Sequence, residues 1–287
     1  MHINFKYFIV SIGSIFLALG IGILVGSNLG SNETMQKQNE AIVKDIDKQF
    51  TVLKSKDEEL TKENKELKEG NASYKKYIET NQSILTSGKL VGKSIGIISF
   101  NSKESNDMDN TIINAGGQIG FKILIDDSLF EKGSAQKINE KLQTKISTNE
   151  ELVSLITDAL KEQNGSTTLN ALSELGYIKV YKFSGQFDNI TNIVVVNGAV
   201  SKMKNKAELM EKPIVENLKS DKPVLVVQNS QVNIENLDVF IDMKVATINN
   251  IDQPAGQISL INCLSNDKLT GAYGRNKNNI VTIAVPK

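Results

Sequence analysis

The chain has 287 residues and no net formal charge, since 33 Lys and Arg residues balance 33 Asp and Glu residues. Basic and acidic side chains are interleaved, which argues against nucleic acid as the main partner because phosphate binding requires a concentrated basic face. The single cysteine, Cys263, and the single histidine, His2, exclude a disulfide framework within the chain, a zinc site rich in Cys or His, and a histidine-dependent catalytic triad.

An uncharged segment, residues 7–32, predicts a membrane anchor within residues 1–32. Residues 8–25 are long enough to cross about 30 Å of hydrocarbon as a helix. The alternative is a cleaved secretory signal, but the apolar part exceeds the roughly 7 to 15 residues of such signals, and no A-x-A motif follows. Lys6 precedes the segment and mixed charges follow it. The positive-inside rule therefore predicts a single-pass plasma-membrane protein with a short cytoplasmic N-terminus and an extracytoplasmic C-terminal domain.

Small residues recur every four positions in this segment, so Ser14, Ala18, Gly22 and Gly26 share one helix face. In a lipid bilayer, helices associate through close backbone contact over such residues. The alternative is that glycine is simply frequent in membrane helices. The regular spacing favours a self-associating anchor.

The charged segment that follows, residues 33–88, predicts a coiled-coil helix. It has no proline, and between residues 33 and 79 its only glycine is Gly70. Apolar side chains recur every seven residues at heptad position d, which is occupied by Ile46, Leu53, Leu60, Leu67 and Tyr74. Position a is apolar only at its ends, and its members are Val43, Phe50, Asp57, Asn64, Asn71 and Ile78.

The continuous d row favours a coiled coil over the alternative, a long solvated helix without a partner. A parallel homodimer is the first expectation, since buried asparagines at position a favour low oligomeric states. Higher homo-oligomers and other envelope proteins are further expected partners. The predicted oligomerisation residues are Ser14, Ala18, Gly22, Gly26, Ile46, Phe50, Leu53, Leu60, Asn64 and Leu67.

Residues 89–287 predict a Rossmann-like α/β domain with a mainly parallel sheet, because short β-branched runs alternate with helical patterns. The expected strands are residues 93–100, 121–125, 178–181, 193–196, 224–227, 245–248 and 280–285. The expected helices are residues 107–115, 148–160, 166–175, 201–218 and 254–264. Thr148 and Glu151 form a capping-box pattern at the start of the second of these helices.

The motifs of common catalytic sites are absent from the sequence. There is no G-x-G-x-x-G, and the tripeptide Gly92-Lys93-Ser94 precedes a predicted strand, whereas a phosphate-binding loop follows one. Close acidic pairs, such as Asp126 and Asp127, are typical of helix caps and solvated surface. We therefore predict no catalytic or cofactor-binding residues and a protein that is not an enzyme.

Soft metal ions such as Cu(I) require thiolate or thioether sulfur. Met203 and Met210 lie seven residues apart on one predicted helix, but methionine at this spacing more often fills a core. Cys263 lies among apolar neighbours and is interpreted as a small buried side chain. No metal-ligating residue is predicted.

Five segments carry a resemblance to a known family. In chain order they are F-L-A-L-G-I-G-I-L-V-G-S in the anchor, I-N-A-G-G-Q-I, V-V-N-G-A, I-D-Q-P-A-G-Q-I-S-L-I and G-A-Y-G. Together with the helical segment between anchor and domain, they resemble the MctB family of copper transport proteins from mycobacteria and other bacteria. The resemblance covers nearly the whole chain.

This resemblance implies a bacterial envelope protein that acts in copper efflux and homeostasis, with copper as a transported ion. The mycobacterial member is described as a pore-forming outer-membrane component, whereas one apolar helix is typical of a plasma-membrane anchor. The alternative function is a non-enzymatic, oligomeric scaffold or adaptor outside the cytoplasm, with no metal chemistry of its own.

Overall fold

The apolar N-terminal segment forms one helix in the computed structural model, which describes residues 5–30, 32–100, 107–162, 164–198, 205–275 and 281–285. Two compact units, Met1–Ser73 and Tyr74–Lys287, divide the chain. Helix α1, Phe5–Gly30, includes Phe5–Ser27, which is long and apolar enough to cross a membrane. The prediction of an N-terminal apolar helix is confirmed.

Helix α2, Asn32–Thr86, is 55 residues long. Exposed Lys and Glu side chains pair along it at i,i+4 spacing, for example Lys62 with Glu66 and Lys65 with Glu69. Each such pair stabilises a helix by only about 0.2–0.5 kcal/mol. The long helix is present as predicted. Its pairing with a second helix into a coiled coil stays a prediction.

A mostly parallel sheet forms the centre of the second unit. Its strands are β1 Ser94–Ser99, β2 Gln118–Ile125, β3 Ile178–Phe183, β4 Asn192–Val196, β5 Val224–Gln228, β6 Ala246–Asn249, β7 Gly271–Arg275 and β8 Val281–Thr282. They lie side by side in the order β3-β2-β1-β4-β5-β6-β7-β8. The pairs β2-β3 and β7-β8 are antiparallel, and the pairs between them are parallel.

Helices connect and cover these strands. They are α3 Asp107–Asn114, α4 Ser134–Leu142, α5 Asn149–Lys161, α6 Ser166–Glu174, α7 Lys212–Lys219 and α8 Pro254–Ser265. A π-helical turn, Ala207–Glu211, leads directly into α7. Two longer 3-10 segments, Asp127–Phe130 and Ile234–Met243, follow β2 and β5 respectively.

Alternate residues of the central strands pack into two separate hydrophobic cores, one on each face of the sheet. In the strand register, Ile97, Val194, Leu225 and Ala246 form one row, and all four belong to the core that includes α8. Their neighbours Ile98, Val195 and Val226 belong to the core that includes α5 and α7. Burial of both faces explains why these strands are continuous apolar runs.

The capping box at the start of α5 is confirmed. The Thr148 hydroxyl accepts a hydrogen bond from the Glu151 backbone N–H at 3.2 Å, and Glu151 accepts in return from the Thr148 N–H at 3.2 Å. The Ser147 N–H donates to the same carboxylate at 2.6 Å. These bonds favour the charged form and lower the pKa of Glu151.

Most predicted elements agree with the structure to within a few residues, but the final one does not. Only Val281–Thr282 of the expected strand 280–285 is a strand, and residue 280 lies outside the described residues. The following Ala284 is held by α8, since its N–H donates to the Ser259 hydroxyl and its carbonyl accepts from the Asn262 amide at 2.7 Å. Ala284 is thus held by side chains of α8 and not by pairing with a neighbouring strand.

The predictions do not contain α4, β7 or the 3-10 segments Asp127–Phe130, Phe187–Asn189 and Ile234–Met243. The expected helix 201–218 divides into the π-helical turn and α7, and residues 201–204 are outside the described part of the chain. Strand β7, G-A-Y-G-R, has two glycines and no β-branched residue, so its sequence has no strand pattern. Strand β7 forms because this segment pairs with β6 in the folded sheet.

Candidate functional site

The four small residues of the anchor lie on an open face of α1. Ser14, Ala18, Gly22 and Gly26 are exposed, and no atom lies within 4 Å of a Cβ built on either glycine. The Ser14 hydroxyl donates to the Val10 carbonyl at 2.6 Å, which satisfies its hydrogen bond within the helix. A second helix therefore has room to approach this face.

The apolar seam of α2 is also exposed in the single chain. Its side chains Ile46, Phe50, Leu53, Leu60 and Leu67 are 57–67% exposed. The Asn64 amide, at position a, donates to the Leu60 carbonyl at 3.0 Å. Exposure of so many large apolar groups in one row is unfavourable in water, which favours a partner for this face.

The sulfur atoms of the α/β domain do not converge. Met210 and Met243 belong to the core on one face of the sheet, whereas Met108 and Cys263 belong to the core on the other. Cys263 is buried as predicted, and desolvation raises its thiol pKa to about 12, so the thiol stays protonated. Across the described ranges no three His, Cys, Asp or Glu side chains form a metal-binding group, and Met203 is not among the described residues.

The sheet has a topological switch point between β1 and β4. The chain passes from β1 through α3 to β2 on one side, whereas β5, β6 and β7 follow β4 on the other. In open α/β sheets, ligands bind outside the carboxyl ends of the strands at such a point. Phe100 and Gly198 lie there, just after β1 and β4.

A buried lysine fills this switch point. The Lys206 ammonium lies 2.5 Å from the Asp127 carboxylate and donates to the Phe100 carbonyl at 3.0 Å. A Cβ at position 198 would lie 2.4 Å from the Lys206 Nζ and 2.7 Å from the Phe100 carbonyl oxygen. Only glycine leaves room for the ammonium, which explains Gly198 in the segment V-V-N-G-A.

A fully buried carboxyl group, Glu211, completes this cluster. Its Oε1 accepts a hydrogen bond from the Gly198 N–H at 3.0 Å, and its Oε2 has no hydrogen-bond partner. The pKa of Glu211 is raised to about 7, mainly by desolvation and also by the Asp127 charge, whereas the Gly198 hydrogen bond and the Lys206 charge oppose the rise. We define Asp127, Lys206 and Glu211 as the switch-point cluster.

Buried amide side chains join the carboxyl ends of the remaining strands. The Asn197 amide donates to the Gln228 carbonyl oxygen at 3.3 Å, and Gln228 donates to Asn249 at 3.3 Å. Asn249 then donates to the Arg275 carbonyl at 3.1 Å. This row crosses from β4 to β7, and it satisfies polar groups that burial would otherwise penalise.

Two of the segments that carry the family resemblance contain glycines that permit close backbone packing beside this row of amide side chains. A Cβ on Gly256, in P-A-G-Q-I, would lie 2.1 Å from the Asn250 carbonyl oxygen. A Cβ on Gly274, in G-A-Y-G, would lie 2.0 Å from the Asn249 carbonyl oxygen, and Gly274 has a φ of +88°. These segments are explained by packing at the carboxyl edge of the sheet.

Sequence reasoning missed the switch-point cluster. The acidic pair at 126 and 127 is typical of a cap, which is correct for Asp126, whose carboxylate accepts from the Ser128 N–H at 2.9 Å. Asp127 instead pairs with a lysine distant in sequence. Glu211 did offer a local signal, because it shares a helical face with the apolar residues Ala207 and Ile214.

Comparison with known proteins identifies the family. A family model described as "Copper transport outer membrane protein, MctB" matches residues 2–282. No curated protein matches the chain. The family match includes the apolar helix, α2 and the sheet as far as β8. This chain therefore belongs to the MctB family.

Proposed function

We propose that this chain acts in copper transport or homeostasis as a single-pass membrane protein whose α/β domain lies outside the cytoplasm. The observation that carries this proposal is the family match over residues 2–282. The apolar helix Phe5–Ser27 supports a membrane location. Lys6 before the helix supports a cytoplasmic N-terminus through the positive-inside rule.

We further propose that the chain acts as a homo-oligomer. One helix has no interior through which an ion can pass, so a transport path requires several copies or another membrane protein. The open small-residue face of α1 and the exposed seam of α2 both favour association with a second copy. The protein then contributes anchoring and assembly, and its sheet domain contacts other components of the envelope.

Deletion of the gene, followed by copper challenge, tests the copper function. We expect lower copper tolerance and a higher cellular copper content, and both should be restored by the wild-type chain. A deletion strain with unchanged tolerance and copper content would remove the copper function and leave the scaffold function as the remaining candidate.

Cysteine labelling in intact cells tests the orientation. Lys268, in the α/β domain, is exposed, and the native Cys263 is buried, so the wild-type protein gives a low background. A membrane-impermeant maleimide should label Lys268→Cys and leave His2→Cys unlabelled, and both variants retain Lys6. The reverse pattern would contradict the proposed orientation.

A further inference from the structure

We propose that Glu211 is a proton-binding site whose occupancy controls how firmly Lys206 holds the segments that follow β1 and β2. This site lies at the switch point of the sheet, and its role goes beyond the proposed function in copper transport. Two observations support this role, namely the geometry of the switch-point cluster and the unpaired Oε2 of Glu211.

The cluster joins three parts of the chain that are distant in sequence. Lys206 contacts Phe100 after β1 and Asp127 after β2, whereas Glu211 contacts Gly198 after β4. These are the ends of three adjacent parallel strands. The position of one ammonium group therefore affects the segments that follow these strands.

The Oε2 atom of Glu211 can bind a proton, and it has no hydrogen-bond partner among the described residues. This oxygen is buried, and Oε1 is already an acceptor. A charged carboxylate in this position leaves one buried oxygen uncompensated, which is costly. Protonation removes that charge, and the hydrogen bond from Gly198 to Oε1 is retained.

The neighbouring charges define how the site responds to pH. Lys206 lies on the same helical segment, and Asp127 approaches from the 3-10 segment after β2. The π-helical turn packs against α5, α7 and the 3-10 segment Ile234–Met243, and the charges that shift the pKa of Glu211 are those of Lys206 and Asp127. Desolvation is the largest of the causes that together raise the pKa of Glu211 to about 7, so the proton is released near neutral pH.

Release of this proton changes the competition for Lys206. With Glu211 neutral, the ammonium pairs with Asp127 and holds the Phe100 carbonyl, as in this structure. When Glu211 ionises, its buried carboxylate competes with the partly exposed Asp127 carboxylate for one ammonium, and the net charge of the cluster becomes −1. This negative charge is compensated if Lys206 moves toward Glu211 or if water enters the cluster. Both changes weaken the hydrogen bond from Lys206 to the Phe100 carbonyl.

The test combines infrared spectroscopy with hydrogen exchange on the full chain in detergent. A protonated carboxylic acid has its own C=O stretching band, and we expect a band that disappears as the pH rises through about 7. Glu211→Gln should lack this band. In the wild type, the Phe100 amide, which donates to the Val196 carbonyl, should exchange faster than in Glu211→Gln at the same pH, by up to about tenfold per pH unit between 4.5 and about 7, and the difference should level off above the midpoint.

Three further variants distinguish this mechanism from a merely structural role. Asp127→Asn removes a charge that disfavours ionised Glu211, so the midpoint should fall. Lys206→Met removes a charge that favours ionised Glu211, so the midpoint should rise. Glu208→Gln is the matched control, because Glu208 is exposed and pairs with Lys212 at 2.9 Å, and it should leave the midpoint unchanged.

A titrating band that persists in Glu211→Gln would overturn the proposal, and so would the absence of any such band in the wild type. Equal pH dependence of exchange in the wild type and Glu211→Gln would also overturn it. Circular dichroism shows whether each variant is folded. If Glu211→Gln does not fold, the opposite midpoint shifts of Asp127→Asn and Lys206→Met decide the question.

Discussion

Burial of a single carboxyl group, Glu211, makes the stability of the α/β domain depend on pH. The unfolded chain releases this proton near the ordinary value of 4.5, whereas the folded protein holds it to about 7. Between these values the folded state binds more protons, so the free energy of unfolding falls as pH rises, by about 3 kcal/mol in total.

Substitution of this residue should remove most of that pH dependence. Glu211→Gln keeps an oxygen acceptor for the Gly198 N–H and has no charge, so it should be more stable than the wild type at pH 8. Urea unfolding of the full chain, followed by circular dichroism between pH 5 and 8, measures the difference. A wild-type protein that becomes more stable over this range would contradict the prediction.

Close packing at Gly256 predicts a strong effect of one methyl group. In Gly256→Ala, the new Cβ would collide with the Asn250 carbonyl, and neither piece of backbone can move freely. We expect a loss of about 1–3 kcal/mol of stability, measured by urea unfolding. Gly70→Ala is the matched control, because nothing lies within 4 Å of its Cβ, and it should not destabilise the protein.

At the level of single helices, the anchor offers a test of association in the membrane. Gly22→Leu and Gly26→Leu should each separate the backbones of paired α1 helices and weaken association by about 1 kcal/mol or more. Gly20→Leu is the matched control, because residue 20 lies on another face of the helix. Crosslinking in membranes measures the effect, and equal loss in all three variants would contradict a specific face.

The seam of α2 offers an independent test. Replacement of Leu60 and Leu67 by Asp places charges at two d positions, which must then be buried or separate the helices. We expect loss of the dimer in sedimentation experiments in detergent. Lys62→Asp also introduces a negative charge, but on the outer face of α2, so it should leave the dimer intact.

At the scale of the whole molecule, the two units should respond separately to these changes. Among the described residues, those that form the two cores of the α/β domain include none from α1. A chain that combines Gly22→Leu with both Asp substitutions should therefore be a monomer whose sheet domain still unfolds cooperatively. Sedimentation and urea unfolding measure the two properties. A wild-type chain that is already monomeric in membranes would remove the proposed assembly.

The sequence by itself determined the apolar helix, the long charged helix and most elements of a mainly parallel α/β domain. These features follow from local patterns, since helical and strand periodicities and the capping box of Thr148 and Glu151 involve residues close in the chain. The resemblance segments similarly indicated the family, which the match over residues 2–282 shows.

Only the tertiary structure decided the order of the strands, the place of β7 and the switch-point cluster. Strand β7 has no strand pattern of its own and depends on pairing with β6. Asp127 and Lys206 lie in separate elements, and each has an ordinary surface-like context in the sequence. Their contact, and the buried proton site at Glu211, arise because parallel strands bring distant segments to one edge of the sheet.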